Sequence, residues 1–123
     1  MDTGGNAVQV LAPDPGDAAA VAAEQIAALL PAGARVVSAF NTTFASTLAT
    51  GQVAGQPVDV LMAGDDAEAK AAVAQLVEAG GMRAVDAGPL RRAAQLEHLG
   101  FLHMAMQEPL GSGYGSAVRF VTP

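Results

Sequence analysis

Two histidines, His98 and His103, are the first side chains to test for chemistry. Five residues apart, they fall roughly 140° apart around a helix of 3.6 residues per turn. They cannot share one metal ion on a straight helix, and no Asp or Glu stands at ligand spacing to both. No metal site is expected. Both read as surface or core-edge residues, one of them able to touch a ligand. Asp65-Asp66 offers paired carboxylates, but a first helical turn, where carboxylates meet the positive end of the dipole, accounts for them. Arg91-Arg92 is harder to place. Cations in the first turn of a helix are electrostatically misplaced, so Asp86 on the preceding strand or a bound anion such as phosphate must compensate.

Asn41, Thr42 and Thr43 follow a predicted strand. Open α/β sheets bind ligands at the carboxyl ends of their strands. Three small polar side chains can hydrogen-bond there without closing the cleft. The same residues also suit a helix start, with Thr42 or Thr43 as the cap. Gly111-Ser112-Gly113-Tyr114-Gly115 is not a dinucleotide fingerprint, because it follows a helix and precedes a strand. It is either a flexible turn or a loop that closes over a flat ring. No Gly-x-Ser-x-Gly elbow is present, and no catalytic side chain is assigned.

The elements that must position these residues follow from breakers and periodicity. Residues 1–16 read as loop with a short extended stretch at Val8–Leu11, and residues 17–123 as a single α/β domain. Asp14-Pro15 opens a helix to about Leu30. Arg35–Phe40 is a strand, followed by a short helix through Leu48 that ends at Gly51. Pro57–Ala63 is a strand covered on both faces, broken only by Asp59. Asp65 and Glu68 have capping-box spacing for the next helix. That helix carries the stripe Ala69, Ala72, Val73, Leu76, Val77 and an Asp66–Lys70 pair. Met82–Ala87 is a third strand. Gly88-Pro89 starts a long helix to about Met106, which Gly100 should bend or divide and Glu108-Pro109 should end. Ala117–Val121 is a final strand. Helices alternating with strands predict an α/β fold with a mostly parallel sheet flanked by helices.

The chain has 123 residues, 51% apolar and 15% charged, enough for one folded domain. A net charge of −6 with six basic residues argues against a nucleic-acid or anionic-membrane partner. There is no cysteine, which excludes disulfides, thiolate metal sites and cysteine catalysis. No apolar run spans a membrane and the N-terminus is not a signal peptide, so the expected location is the cytoplasm.

Arg35–Ala45, Ala63–Lys70 and Asp86–Arg91 together resemble the NADPH-dependent reductases of the deazaflavin coenzyme F-420, from about residue 17 onward. Cytosolic domains of membrane-bound ferric reductases show a looser version. The family begins with a strand, a G-x-G-x-x-G turn and a helix that bind the NADP pyrophosphate, and this sequence lacks that turn. The resemblance therefore implies an incomplete Rossmann-like fold, the C-terminal half of the reductase. It implies hydride transfer between NADPH and the deazaflavin, with the cofactors carrying the chemistry. Asn41, Thr42 and Thr43 would lie beside the deazaflavin and nicotinamide, although archaeal members have a histidine in place of Asn41. Gly111, Ser112, Gly113 and Tyr114 would close over the deazaflavin. NADP would need a companion segment for its phosphates. A missing sheet half would expose a strand edge, so a homodimer or a companion N-terminal half is expected. The alternatives are a non-catalytic deazaflavin- or flavin-binding module and an inactive truncated remnant.

Overall fold

The structure, a computed structural model, describes residues 6–10, 29, 33–40 and 42–123. Strands β1 (Asn6–Val10), β2 (Arg35–Ala39), β5 (Asp59–Gly64) and β6 (Arg83–Asp86) form a four-stranded sheet in the order β1-β2-β5-β6. Helices α1 (Ala45–Thr50), α2 (Ala67–Ala79), α3 (Ala93–Ala105) and α4 (Gln107–Leu110) join them, with a small hairpin of β3 (Gln52–Val53) and β4 (Gln56–Pro57). Apart from Leu29, the helix expected over 14–30 lies outside the described residues.

The alternation of side chains along the strands sets up two cores. Val37, Ala39, Val60 and Met62 face α2 and meet Ala69, Val73 and Val77. Leu61 and Ala63 face the other way and pack on Leu96 of α3, with Val85 and Leu99 beside them. β5 is buried along its whole length because helices cover both faces. The stripe on α2 is narrower than its sequence suggests. Ala69, Val73 and Val77 are buried, whereas Leu76 is 66% exposed.

Two of the three pairings in the sheet are parallel, and one is not. β1–β2 and β5–β6 are parallel, but β2–β5 is antiparallel, with Val37 opposite Gly64 and Ala39 opposite Met62. A parallel return needs a long crossover past the sheet. Here the connection is spent on α1 and the β3–β4 hairpin. The Val58 N–H then donates to the Gly51 carbonyl, so β5 starts at the end where β2 stops. The stretch read as loop at the N-terminus contains β1, which pairs from Asn6↔Arg35 to Val10↔Ala39.

Four further expectations change. Asp66, not Asp65, caps α2 by accepting from the Ala69 N–H, while Asp65 accepts from the Leu90 N–H. Asp66 also sits 3.6 Å from Arg35, and Lys70 pairs instead with Asp86 at 3.0 Å. α3 runs unbroken through Gly100, which is buried. Packing there outweighs the ~1 kcal/mol that glycine costs a helix. Pro109 does not end the helical region. It occupies the first turn of α4, where a missing N–H is tolerated.

Residues 117–121 form no strand. The Phe120 N–H donates to Asp59 Oδ2, the Phe120 carbonyl accepts from Arg83, and Arg119 donates to the Pro57 carbonyl. Side chains take the polar groups that a ladder would use.

Ala54 and Gly55, which join β3 to β4, have φ of +53° and +76°. Both signs are those of a type I′ turn, which favours Asn-Gly. Ala54→Asn is therefore expected to stabilise the fold by about 0.5–1 kcal/mol. A thermal melt that shows no rise in Tm would refute this.

Candidate functional site

α3 starts beside the carboxyl end of β6 and runs back across the sheet to the carboxyl end of β2. Its last turn reaches the loop that follows β2. There His103, 6% exposed, stands with Nδ1 3.3 Å from the Thr42 carbonyl and Nε2 2.8 Å from Ser116 Oγ. A carbonyl only accepts, so the neutral ring carries its proton on Nδ1 and accepts from the Ser116 hydroxyl at Nε2. The imidazole stacks on Phe44 at 4.4 Å, and Phe44 meets Tyr114 edge-on at 5.1 Å.

One helical turn beyond His103, Gln107 ties the glycine-rich turn to the same place. Its Nε2 donates to the His103 carbonyl at 2.8 Å and to Ser116 Oγ at 2.9 Å. Its Oε1 accepts from the Ser112 hydroxyl at 2.7 Å and the Tyr114 N–H at 3.0 Å. Ser46 on α1 closes the ring of contacts by donating to the Tyr114 carbonyl at 2.7 Å.

The structure thus brings Thr42 and Thr43 together with the 111–116 turn. Asn41 lies outside the described residues. The reading of Thr42 or Thr43 as a helix cap does not hold. The N-cap of α1 is Phe44, and no side chain caps it. The hydroxyls of Thr42 and Thr43 find no hydrogen-bond partner among the described residues, although Thr42 is only 3% exposed. Ser38 Oγ on β2 is likewise without a partner among the described residues, and a buried hydroxyl left unpaired costs about 1–3 kcal/mol. Phe40 has φ +68° and Tyr114 φ +63°. Left-handed backbone is unfavourable for aromatic residues, and such strain gathers at functional sites.

Arg91 and Arg92 are not part of this cluster. They lie in a short 3-10 turn, Leu90–Arg92, at the opposite end of α3, and both are exposed. The thirteen residues of α3 put about 20 Å between the two ends. Asp86 does not compensate them; it holds Lys70 and the Gly88 N–H, and Arg92 donates to Gln95. A cleft of about 420 Å³ opens on the far side of the turn, lined by Met104, Gln107, Glu108, Gly113 and Tyr114. A second, of about 460 Å³, lies at the other end of the sheet between Arg35, Asp65, Asp66 and Leu90. Its carboxylates, with Arg35 already paired, do not suit a phosphate. Among the described residues no group of histidines and carboxylates could hold a metal ion, and no helix is long and apolar enough to cross a membrane.

With this geometry the chain can be set against solved structures. The fold is Rossmann-like. It is similar to a protein from Arthrobacter sp. FB24 described as a putative F-420-dependent NADP reductase, with a TM-score of 0.73 and 31% identity over 81% of this chain. A hypothetical protein from Sinorhizobium meliloti matches with a TM-score of 0.55 and 30% identity over 68% of this chain. The chain spans 45% of the length of each. No protein-family model and no curated protein matches the sequence.

Gln107, Phe44 and Ser116 are candidate site residues that sequence reasoning did not select, and His103 was singled out there only as one of two histidines able to touch a ligand. One signal was available. Residues 103 and 107 are four apart, the spacing of one helical turn, and both are polar in an otherwise apolar stretch.

Proposed function

We propose that this chain forms the deazaflavin-binding part of an oxidoreductase that passes hydride between NADPH and coenzyme F-420. The observation that carries this reading is the pair of buried hydroxyls on Thr42 and Thr43, without a partner among the described residues, beside the pinned 111–116 turn. A flat heteroaromatic ring with carbonyl and N–H edges supplies the partners those hydroxyls lack. The likeness to the Arthrobacter protein gives the ring its class. When bound, the deazaflavin ring itself supplies the hydride chemistry. The chain's residues bind and orient it: Thr42 and Thr43 hydrogen-bond its edge, with Asn41 next to them in sequence. Gly111, Ser112, Gly113 and Tyr114 cover it and exclude water. No side-chain acid or nucleophile is needed. The sequence contains no G-x-G-x-x-G turn, so the NADP pyrophosphate is assigned to a companion segment, in a cytoplasmic assembly. Arg91 and Arg92, on the far end of α3, are candidates for an anionic group of such a partner.

Titration of the purified chain with coenzyme F-420, followed by the cofactor's fluorescence with and without NADPH, tests this. Binding without turnover is expected. Absence of binding up to millimolar cofactor removes the proposal. Thr42→Val sharpens the test, because it replaces an unpaired buried hydroxyl by a methyl group. It should raise stability by about 1 kcal/mol and weaken F-420 about tenfold. Unchanged affinity in this variant would take Thr42 out of the site.

A further inference from the structure

We infer that Gln107 is a positioning residue that holds the 111–116 turn in its closed place over the carboxyl end of β2. This rests on the proposed cofactor site and assigns it a built-in support. The side chain is 5% exposed and uses both halves of its amide. Its orientation is fixed by partners that cannot exchange roles. The His103 carbonyl can only accept and the Tyr114 N–H can only donate, so a flipped amide would set oxygen against oxygen. Through Oε1 it holds Ser112 and Tyr114, and through Nε2 it holds the His103 carbonyl and Ser116. Tyr114 sits at φ +63°, a conformation its own backbone disfavours, so something outside the turn must keep it there. The Gln107 oxygen on the Tyr114 N–H and the Ser46 hydroxyl on the Tyr114 carbonyl do so from opposite sides. A turn fixed before the ligand arrives loses less conformational freedom on binding, which raises affinity without touching the ligand.

The chain has one tyrosine and no tryptophan, so Tyr114 fluorescence reports on the turn alone. Gln107→Met keeps the volume and removes the amide. Gln107→Glu keeps the acceptor for Ser112 and Tyr114 and loses the donors. Each full-length variant is studied well below its own melting temperature, with acrylamide quenching of Tyr114 and F-420 titration read together. Tyr114 is half exposed in the wild type, and Gln107→Met should raise its quenching constant further and weaken F-420 about tenfold. Gln107→Glu keeps the contacts to Ser112 and Tyr114 but sets a second oxygen against the His103 carbonyl, so its quenching should fall between Gln107→Met and wild type, a partial rescue that a merely space-filling role would not give. A Tyr114 quenching constant in folded Gln107→Met equal to that of the wild type overturns the inference. If Gln107→Met does not fold, Ser112→Ala decides it: a modest rise in Tyr114 quenching supports the inference, and quenching equal to the wild type overturns it. Wild-type protein that fails to bind F-420 removes the cofactor reading, and the Tyr114 quenching still decides the role of Gln107.

Discussion

Arg83→Met is expected to lower Tm by roughly 10–20 °C, the consequence of about 3 kcal/mol lost when the carboxylate of Asp59 stays buried without its partner. Asp59 opens β5 with a fully buried side chain, directly opposite Arg83 on β6. The guanidinium donates twice, from Nε at 2.7 Å and Nη2 at 2.6 Å, and the Phe120 N–H adds a third bond. Burial opposes the charge on Asp59. The hydrogen bonds from Arg83 and Phe120, with the positive charges of Arg83 and Arg119, outweigh it and hold the carboxyl below its ordinary value. Asp59→Asn should cost less than Arg83→Met, because the Arg83 side chain is 36% exposed and can turn to water.

The pH dependence follows with a definite sign. A carboxyl whose folded pKa is depressed contributes stability that is present above its unfolded value, about 3.9, and lost as the pH falls through the folded pKa. Wild-type protein should therefore hold this contribution from neutral pH down to about 4. In Arg83→Met the two guanidinium hydrogen bonds and their charge are gone, while burial and the Phe120 N–H remain, so protonation of Asp59 relieves the variant. The gap between variant and wild type should narrow between about pH 7 and pH 4.5. Calorimetric melts at the two pH values check it, and a gap that widens on acidification would sink this account. The tail residues should become protease-sensitive in the same variant, since Arg83 also holds the Phe120 carbonyl.

Gly51→Ala is the second large effect. Gly51 ends α1 at φ +70°, and a Cβ there would stand 2.8 Å from the Gly80 carbonyl oxygen and 3.3 Å from Met82 Cγ. The left-handed backbone alone costs an alanine about 1–2 kcal/mol, and the backbone clash brings the total to about 2–4 kcal/mol. Gly55→Ala is the control. Its φ is +76°, but nothing lies within 4 Å of its Cβ, so only the backbone cost applies. Chemical denaturation of the pair should show Gly51→Ala less stable than Gly55→Ala by about 1–2 kcal/mol. Equal midpoints would mean that α1 shifts freely away from Gly80. Because α1 carries Ser46 and is entered through Phe44, such a shift would reach the Tyr114 turn.

Local chemistry explains which parts of this fold were legible in the sequence. β2, β5 and β6, the short helix closed by Gly51 and the α2 helix with Ala69, Val73 and Val77 inward all follow from apolar period and breakers. The polar stretch after β2 was visible for the same reason: small polar residues follow an apolar strand. The direction of β5 was not legible, because nothing local says whether a connection crosses the sheet or turns back. The caps and ion pairs were only partly legible. Asp65 and Asp66 are chemically identical, and the position of Leu90 and Arg35 in space decides which of them caps α2. The last strand failed because Asp59 and Arg83, far away in sequence, claim the polar groups of Phe120. Most of the candidate site belongs to that second class. Thr42 and Thr43 could be named from their place after a strand. His103 and Gln107 join them only because α3 crosses the sheet and delivers its last turn to the carboxyl end of β2. Periodicity and turn chemistry act over a few residues and are written in the chain. Partnerships across tens of residues depend on how the elements stack, and the tertiary structure alone decides them.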